Sequence, residues 1–156
     1  MATTQVNPLG RGLDDLEEGI VFESRGRTVT ETDIVNFAAL SADWNPLHTD
    51  REWAAGSFFG ERIAHGLLVL SIASGLWDID PNVVVGFYGI DKLRFTAPTR
   101  IGDTIRVRLE ITGLRPKGDE FGVIELAQTV LNQRDEKVIA ATVKLLIRRK
   151  ALQPDG

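Results

Sequence analysis

Asp43 and His48 are the residues of this sequence best suited to acid/base chemistry, and an Asn-Pro pair lies between them. On a straight helix, positions five apart do not share a face. Pro46 disfavours helical backbone at Asn45, so the break can turn the chain until Asp43, ending one helix, faces His48, beginning the next. A carboxylate and an imidazole within hydrogen-bond reach could bind and deprotonate one water, and one of them could protonate a carbon.

The same two residues also allow a purely structural interpretation. Asp43 could cap the second helix, and His48 could be a surface or packing residue, which is the commoner role of an isolated Asp or His. The Asn-Pro break and the presence of only two histidines in the chain bring the acid/base hypothesis level with this alternative, and the residue pattern does not decide between them.

A second candidate feature is Gly66, at the start of a predicted apolar helix. The unpaired amide N–H groups of a helix N-terminus could stabilise a thioester carbonyl that becomes an enolate. Glycine would let a ligand approach the backbone closely, although it could equally serve only the tight packing of a buried helix. The second histidine, His65, is interpreted as structural.

Basic and aromatic side chains are weaker candidates. A phosphate-bearing carrier such as coenzyme A would favour basic charges at a pocket mouth, although scattered basic residues usually lie on solvated faces. The candidates for such contacts are Arg62, Lys92, Arg94 and Arg100. The three tryptophans are expected in the core rather than at a ligand, at Trp44, Trp53 and Trp77.

The elements that position these residues follow from caps and hydrophobic periodicity. Residues 20–29 predict a first strand, and Thr30 is a typical N-cap for a helix that ends near Ser41. Acidic residues in the first turn of this helix suit its dipole. Beyond the Asn-Pro break, Thr49 and Glu52 have the spacing of a capping box for a second short helix.

The remaining elements define the fold class. Residues 66–77 are apolar on nearly every side, which predicts a helix buried on all faces. Strands are then predicted by β-branched content and turn residues over 83–95, 104–114, 121–131 and 137–149. Helices followed by a meander of strands indicate an α+β fold with an antiparallel sheet. We expect one domain spanning 1–156, with 1–19 as an irregular lead-in.

Composition narrows the function class. The net charge of −4 gives no support to nucleic-acid binding, which usually uses a basic stripe. The chain has no cysteine, which excludes disulfides, thiolate nucleophiles and cysteine-ligated zinc. The apolar run 66–76 is too short to span a bilayer, and the N-terminus lacks the regions of a signal peptide. We therefore expect a cytoplasmic protein with no nucleic-acid or membrane partner.

Three runs of this sequence carry a family resemblance. Residues 37–48, 59–68 and 95–104 resemble, in this order, segments of the MaoC-like dehydratases and R-specific enoyl-CoA hydratases. The resemblance implies a hot-dog fold, in which an antiparallel sheet wraps around a central helix. It also implies a homodimer or dimer-based higher oligomer, with acyl-CoA bound near the subunit interface. No metal or redox cofactor is implied, since coenzyme A is part of the substrate.

The resemblance also suggests residue roles by position. Asp43 and His48 fall on the family's catalytic pair, and Gly66 falls on its oxyanion amide. Ser74 falls on a serine lining the site and is expected to bind substrate. Asn45 belongs to the motif and is expected at the substrate site chiefly as the residue that shapes the turn.

One position departs from the family pattern. The residue before the aspartate is often glycine, and here it is Ala42, for which we expect a local backbone adjustment. The implied function is reversible syn hydration of a trans-2-enoyl-CoA to the (R)-3-hydroxyacyl-CoA, hence an enoyl-CoA hydratase or 3-hydroxyacyl-CoA dehydratase. The alternatives are an acyl-CoA thioesterase and a non-catalytic acyl-thioester binding subunit.

Overall fold

The computed structural model describes residues 7–152, and the elements named here are those of that range. The helices are α1 (Glu31–Ser41), α2 (Pro46–Thr49), α3 (Arg51–Ala55) and α4 (Gly66–Ser74). The strands are β1 (Val21–Glu23), β2 (Arg27–Thr28), β3 (Val84–Phe95), β4 (Thr104–Lys117), β5 (Phe121–Leu131) and β6 (Lys137–Arg148). No helix in this range is long and apolar enough to cross a membrane.

The strands form one antiparallel sheet in the order β1-β4-β5-β6-β3, with β2 also paired to β4. Alternate residues of β4 to β6 are buried, because one face of the sheet covers the core. α4 packs on that face through Leu68, Val69 and Ala73, which join the main apolar cluster. The α+β class and the hot-dog arrangement of sheet and helix are confirmed.

The predicted single strand over 20–29 was wrong, because it divides into β1 and β2. Glu23 lies opposite Arg108, and Arg27 lies opposite Ile105. The chain therefore advances four residues from β1 to β2 while the partner strand β4 advances three. One extra residue on one side of a ladder is a β-bulge, which bends the strand and interrupts the pairing. The four later strands lie close to their predicted bounds.

α4 ends at Ser74, short of the predicted 77, and it is not buried on all faces. Leu67, Ser71 and Gly75 are exposed at a spacing of four, which forms one stripe along the helix. The prediction of all-round burial was wrong for the single chain, because the sheet covers one side of the helix. This stripe, here called the α4 stripe, is available for contact with another surface.

The lead-in is more ordered than predicted. Two short 3-10 turns, Pro8–Gly10 and Leu13–Asp15, place Leu9 and Leu13 in the core, while residues 1–6 of the predicted lead-in lie outside the described range. Trp77 is buried as expected and donates its indole N–H to Gln128 at 2.7 Å. The expectation was wrong for the other two tryptophans, which lie on surface segments and are about half exposed, namely Trp44 and Trp53.

The predicted cap of α1 is confirmed and is a complete capping box. Thr30 accepts from the Asp33 N–H at 3.3 Å, and the Thr30 N–H donates to the Asp33 carboxylate at 2.8 Å. Arg27 donates to both oxygens of the same carboxylate, at 2.7 and 3.0 Å. Mainly through this Arg27 contact, and against the effect of burial, the pKa of Asp33 is lowered to about 2.

This contact predicts an acid-sensitive contribution to stability. Because the folded-state pKa of Asp33 lies below the unfolded value, its stabilisation is present above about pH 4 and lost as the pH falls towards 2. We expect a loss of about 1–2 kcal/mol, allowing for solvent screening of the partly exposed Arg27. Urea unfolding of the wild type and Asp33→Asn at pH 7 and pH 3 measures it. Equal acid sensitivity of the two proteins would contradict the assignment.

Candidate active site

The chain changes direction sharply between α1 and α2, and this turn presents Asp43. Ala42 ends α1 in the left-handed conformation with φ 58°, where a glycine would be less strained. Alanine therefore adopts the backbone that the family's usual glycine would favour, at a cost of about 1 kcal/mol. Ser41 accepts the Asp43 N–H at 3.2 Å, and one Asp43 oxygen accepts the Asn45 N–H at 3.3 Å. Asp43 itself is exposed.

α2 begins where the Asn-Pro pair predicted a restart. Asn45 is its N-cap and accepts the Leu47 N–H at 2.9 Å, with Pro46 in the first turn. The side-chain oxygen of Asn45 is thus used to build the turn, in agreement with its expected role. The predicted Thr49/Glu52 capping box was wrong: Asp50 caps α3 by accepting the Trp53 N–H at 2.9 Å, and Thr49 donates to the Trp44 carbonyl.

His48 lies half-buried on α2, and its orientation is fixed by one hydrogen bond. Its Nδ1 lies 2.7 Å from the Ile63 carbonyl oxygen, and since a carbonyl only accepts, Nδ1 carries the proton. The lone pair of Nε2 is therefore free to accept a proton. Burial is the main cause that lowers the pKa of His48, with nearby His65 acting in the same direction and the Ile63 carbonyl and Asp43 opposing it.

Asp43, His48 and His65 form one cluster. A carboxylate oxygen of Asp43 and one ring nitrogen of each histidine lie within 4.8 Å of one another. Asp43 and His48 make no direct hydrogen bond among the described residues, and two hydrogen bonds of ordinary length to a single water span about 4.5 Å. The pair is therefore close enough to hold a water molecule between its members.

This donor set is also one that binds divalent transition metals. A metal needs the in-plane lone pairs of both imidazoles to converge on one point. The rings of His48 and His65 instead lie face to face, with centroids 3.8 Å apart and planes 31° apart. Lone pairs that lie in two overlapping planes at this angle do not readily converge on one point. The arrangement therefore suits a metal poorly, and the expectation of no metal stays a prediction.

α4 begins beside this cluster without a side-chain cap. The side chains of Thr30, Asn45 and Asp50 cap the other three described helices, whereas His65, the N-cap of α4, makes no capping hydrogen bond. The first amide of the helix, that of Gly66, therefore keeps the unpaired N–H and partial positive charge of a helix N-terminus. This geometry fits the predicted oxyanion role, which stays a prediction.

A cavity of about 470 Å³ joins His48 to Gly66. Its lining is mostly apolar and contains no Asp, Glu, Lys or Arg, and it includes Phe58, Phe59 and Phe95. A Cβ at Gly66 would lie 2.8 Å from the Phe95 ring, so glycine here provides space as well as an amide. No site role was predicted for these three aromatic residues, although Phe59 and Phe95 begin two of the runs that carry the family resemblance. The pair Phe58-Phe59 in a glycine-flanked loop was the one available signal.

Ser74 is not brought to this cavity. It lies eight residues beyond Gly66, about 12 Å along α4, and its hydroxyl donates to the Ser71 carbonyl at 2.7 Å. Neither Ser74 nor Asn45 lines the cavity, so their expected substrate contacts stay predictions.

Two of the four basic candidates are already paired. Arg62 forms an ion pair with Glu31 at 2.6 Å and reaches towards the His48 carbonyl at 3.5 Å, while Arg100 pairs with Glu61. Arg62 therefore attaches α2 to the start of α1. Lys92 and Arg94 lie exposed on β3. A role for any of these residues with coenzyme A phosphates remains a prediction.

Comparison with known proteins places the chain in a family. Residues 17–133 match the family described as MaoC like domain. The chain is 42% identical over 106 residues to Protein MaoC of Klebsiella aerogenes, an alignment covering 67% of this chain but 32% of that protein. It is 38% identical over 105 residues to an (R)-specific enoyl-CoA hydratase of Rhodospirillum rubrum, covering 67% of this chain and 72% of the relative.

A solved structure is similar to this chain over nearly its whole length. An Archaeoglobus protein described as a monoamine oxidase regulatory protein superposes with a TM-score of 0.85 at 41% identity, covering 95% of this chain and 99% of that chain. The family match spans well over half of the chain and includes α1 to α4 and the Asp43–His48 turn. The chain belongs to the MaoC-like domain family.

Proposed function

We propose that this protein is a hydratase that adds water reversibly to a trans-2-enoyl thioester, giving the (R)-3-hydroxyacyl thioester. The observation that carries the proposal is the Asp43–His48 pair beside the uncapped start of α4, with His48 and Gly66 lining one apolar cavity and Asp43 just outside that lining. The Rhodospirillum relative named (R)-specific enoyl-CoA hydratase supports the same reaction class. The cavity suits the uncharged part of an acyl-CoA substrate.

The proposed mechanism uses three groups of this chain. Asp43 orients a water, and Nε2 of His48 accepts its proton while the water oxygen bonds to the β-carbon of the enoyl group. The electron pair of the double bond moves onto the thioester as an enolate, whose oxygen accepts a hydrogen bond from the Gly66 N–H. His48 then returns the proton to the α-carbon, so hydroxyl and hydrogen add from one side. The sum of the steps is the addition of one water.

The acid/base pair is tested with Asp43→Asn and His48→Gln. Either change is expected to lower kcat/KM for crotonyl-CoA by about 10²–10⁴, the usual value of general acid/base catalysis. The double variant should be little worse than the worse single variant, because the residues act on one water. Because burial lowers the pKa of His48, the acid limb of kcat/KM in the wild type should lie below pH 6.5.

The control for this pair is Asp50→Asn, which changes another exposed loop aspartate while preserving a cap. Its activity should equal that of the wild type. Loss of the conjugated absorbance without free thiol identifies hydration, and free thiol would identify the thioesterase instead. If neither signal appears, the remaining alternative is a non-catalytic binding subunit. Single variants that retain more than about a tenth of the wild-type rate would contradict the acid/base role.

The oxyanion role of Gly66 is tested in a Phe95→Ala background, since the Phe95 ring would collide with any Cβ at Gly66. Proline removes the N–H and suits the first turn of a helix. Extended His65, with φ −58° and ψ 133°, tolerates a following proline. We expect Gly66→Pro in this background to lower kcat by about 10²–10³. Gly66→Ala in the same background keeps the N–H and should retain most of the activity. Equal kcat values for the Gly66→Pro and Gly66→Ala variants would refute the oxyanion role of the Gly66 N–H.

We further propose that two copies of the chain associate through β3 and the α4 stripe. β3 is an edge of the sheet and carries exposed apolar side chains, including Val85 and Phe87. Proteins rarely leave such an edge unprotected, and a second copy related by a twofold axis is the simplest cover. The α4 stripe would be covered by the same partner.

Light scattering at micromolar concentration tests this association. We expect twice the chain mass of 17.2 kDa for the wild type and a shift towards the monomer for Val85→Lys. Val35→Lys on α1 is the matched control, because Val35 is 44% exposed and Val85 is 46% exposed. A monomeric wild type, or equal effects of the two changes, would exclude this interface.

A further inference from the structure

His65 contacts every segment that carries a group of the candidate site. It is 2% exposed, and its ring lies between Phe37 of α1, at a centroid distance of 5.0 Å, and His48 of α2, at 3.8 Å. Its Nε2 lies 3.0 Å from the carbonyl oxygen of Asp43. In the chain it directly precedes Gly66. The side chain of His65 thus contacts both members of the acid/base pair, and its backbone is bonded to Gly66, the proposed oxyanion donor.

The hydrogen bond to Asp43 fixes the tautomer of His65. A carbonyl oxygen only accepts, so Nε2 is the donor and Nδ1 has no proton in that tautomer. This Nδ1 is buried and has no hydrogen-bond partner among the described residues. A buried polar atom without a partner costs about 1–3 kcal/mol. A phenylalanine would fill this space without that cost, so packing alone does not account for an imidazole here.

The contacts of His65 restrain Asp43 and His48, the two residues proposed to hold the reacting water. The turn carrying Asp43 is exposed and contains a left-handed alanine, so it needs restraint from outside the turn. The bond from His65 Nε2 holds its backbone, and the stacked ring limits the tilt of His48. A displacement of about 1 Å in such a geometry can cost 10²-fold in rate.

We propose that His65 is a positioning residue of the hydration reaction, holding Asp43 and His48 at a water-bridging separation next to the Gly66 amide. This inference rests on the proposed hydratase function. His65 does not line the cavity and touches no reacting atom, so its effect is exerted through Asp43 and His48.

Two substitutions separate the contributions of His65. His65→Gln keeps an N–H donor near the position of Nε2, and His65→Phe keeps a ring for stacking but removes the donor. We expect kcat for crotonyl-CoA to fall about 10–100-fold in His65→Phe with KM changed less than threefold. His65→Gln should recover at least part of that loss, because the Asp43 carbonyl regains its donor.

Val107→Ala is the control for stability, because Val107 is a fully buried strand residue remote in sequence from the candidate site. It should lower the melting temperature while leaving kcat unchanged. Folded His65 variants that lose melting temperature but keep the wild-type kcat would overturn the proposal. A lower kcat in His65→Gln than in His65→Phe would also overturn it, since the hydrogen bond would then have no positioning role.

A spectroscopic readout of the two tautomers does not depend on enzyme activity. His48 and His65 are the two histidines of the chain, so untagged protein gives two imidazole signals in long-range ¹H–¹⁵N spectra. We expect the Nδ1–H tautomer for one ring and the Nε2–H tautomer for the other, as their carbonyl partners require. In His65→Phe the remaining signal belongs to His48 and confirms the assignment. Two rings of the same tautomer would overturn the proposed contacts.

The titration of His48 supplies a second readout. The titratable or charged groups near it are Asp43, His65 and Arg62, the last of which faces the His48 carbonyl and is paired with Glu31. Phenylalanine preserves the burial at position 65 but removes a neighbour that lowers the pKa of His48. The pKa of His48 should therefore rise in His65→Phe, and the acid limb of kcat/KM should move to higher pH with it. An unchanged His48 titration would count against the contact.

These measurements also distinguish failure of the two proposals. If the wild type shows no hydration of a panel of enoyl-CoA substrates, the hydratase function fails, and the tautomers and the His48 titration still test the contacts. If the wild type is active and both folded His65 variants retain its kcat, the positioning role fails while the hydratase function stands.

Discussion

The first amide groups of any α-helix lack partners within the helix, and at α4 no side chain supplies one. The helix is apolar and packed on the sheet, so these amides are held in a fixed direction next to the cavity. The other described helices begin with Thr, Asn or Asp caps. The uncapped start of α4 is thus a departure from the rule that α1, α2 and α3 follow, and the acid/base turn lies directly against it.

The elements around α4 explain how this arrangement is maintained. Arg62 joins the α2 segment to the start of α1 through Glu31, and Arg27 joins β2 to the same end of α1 through Asp33. The isolated pairing of Ile63 with Arg100 anchors the segment before α4 to the chain between β3 and β4. These contacts are polar and lie at the edges of the site, whereas the sheet and α4 supply the apolar core. Positioning therefore relies on polar contacts that the apolar core does not supply, and the Arg27–Asp33 pair contributes to stability as well.

Much of this structure could be predicted because local rules determine it. Thr30 and Asp33 form a cap by their spacing alone, Asn45-Pro46 restarts a helix by backbone sterics, and β-branched runs between turn residues mark the strands. The bulge between β1 and β2 was missed because Gly26 gives only a weak signal within a β-rich run. The surface positions of Trp44 and Trp53 depend on which faces the short helices present, and periodicity over four or five residues cannot determine this.

The site shows the same division between local and tertiary information. Asp43, His48 and Gly66 were identified from motif and helix-start patterns, and the structure brings them together. His65 was interpreted as structural, because a stack on another imidazole and a bond to a carbonyl 22 residues away in sequence leave no mark on nearby residue types. Phe95 contacts Gly66 across the fold, a proximity that only tertiary packing produces.

The left-handed backbone of Ala42 has a consequence for how the site can open. An alanine in this conformation gains nothing from local preference, so the turn that carries Asp43 is held in shape by its contacts with α4 and α2. If α4 separates from that turn, Ala42 lowers its free energy by leaving the left-handed region. The Asp43 carboxylate then points in a different direction. Local unfolding would then dismantle the acid/base pair and the adjacent amide site together, as one cooperative unit.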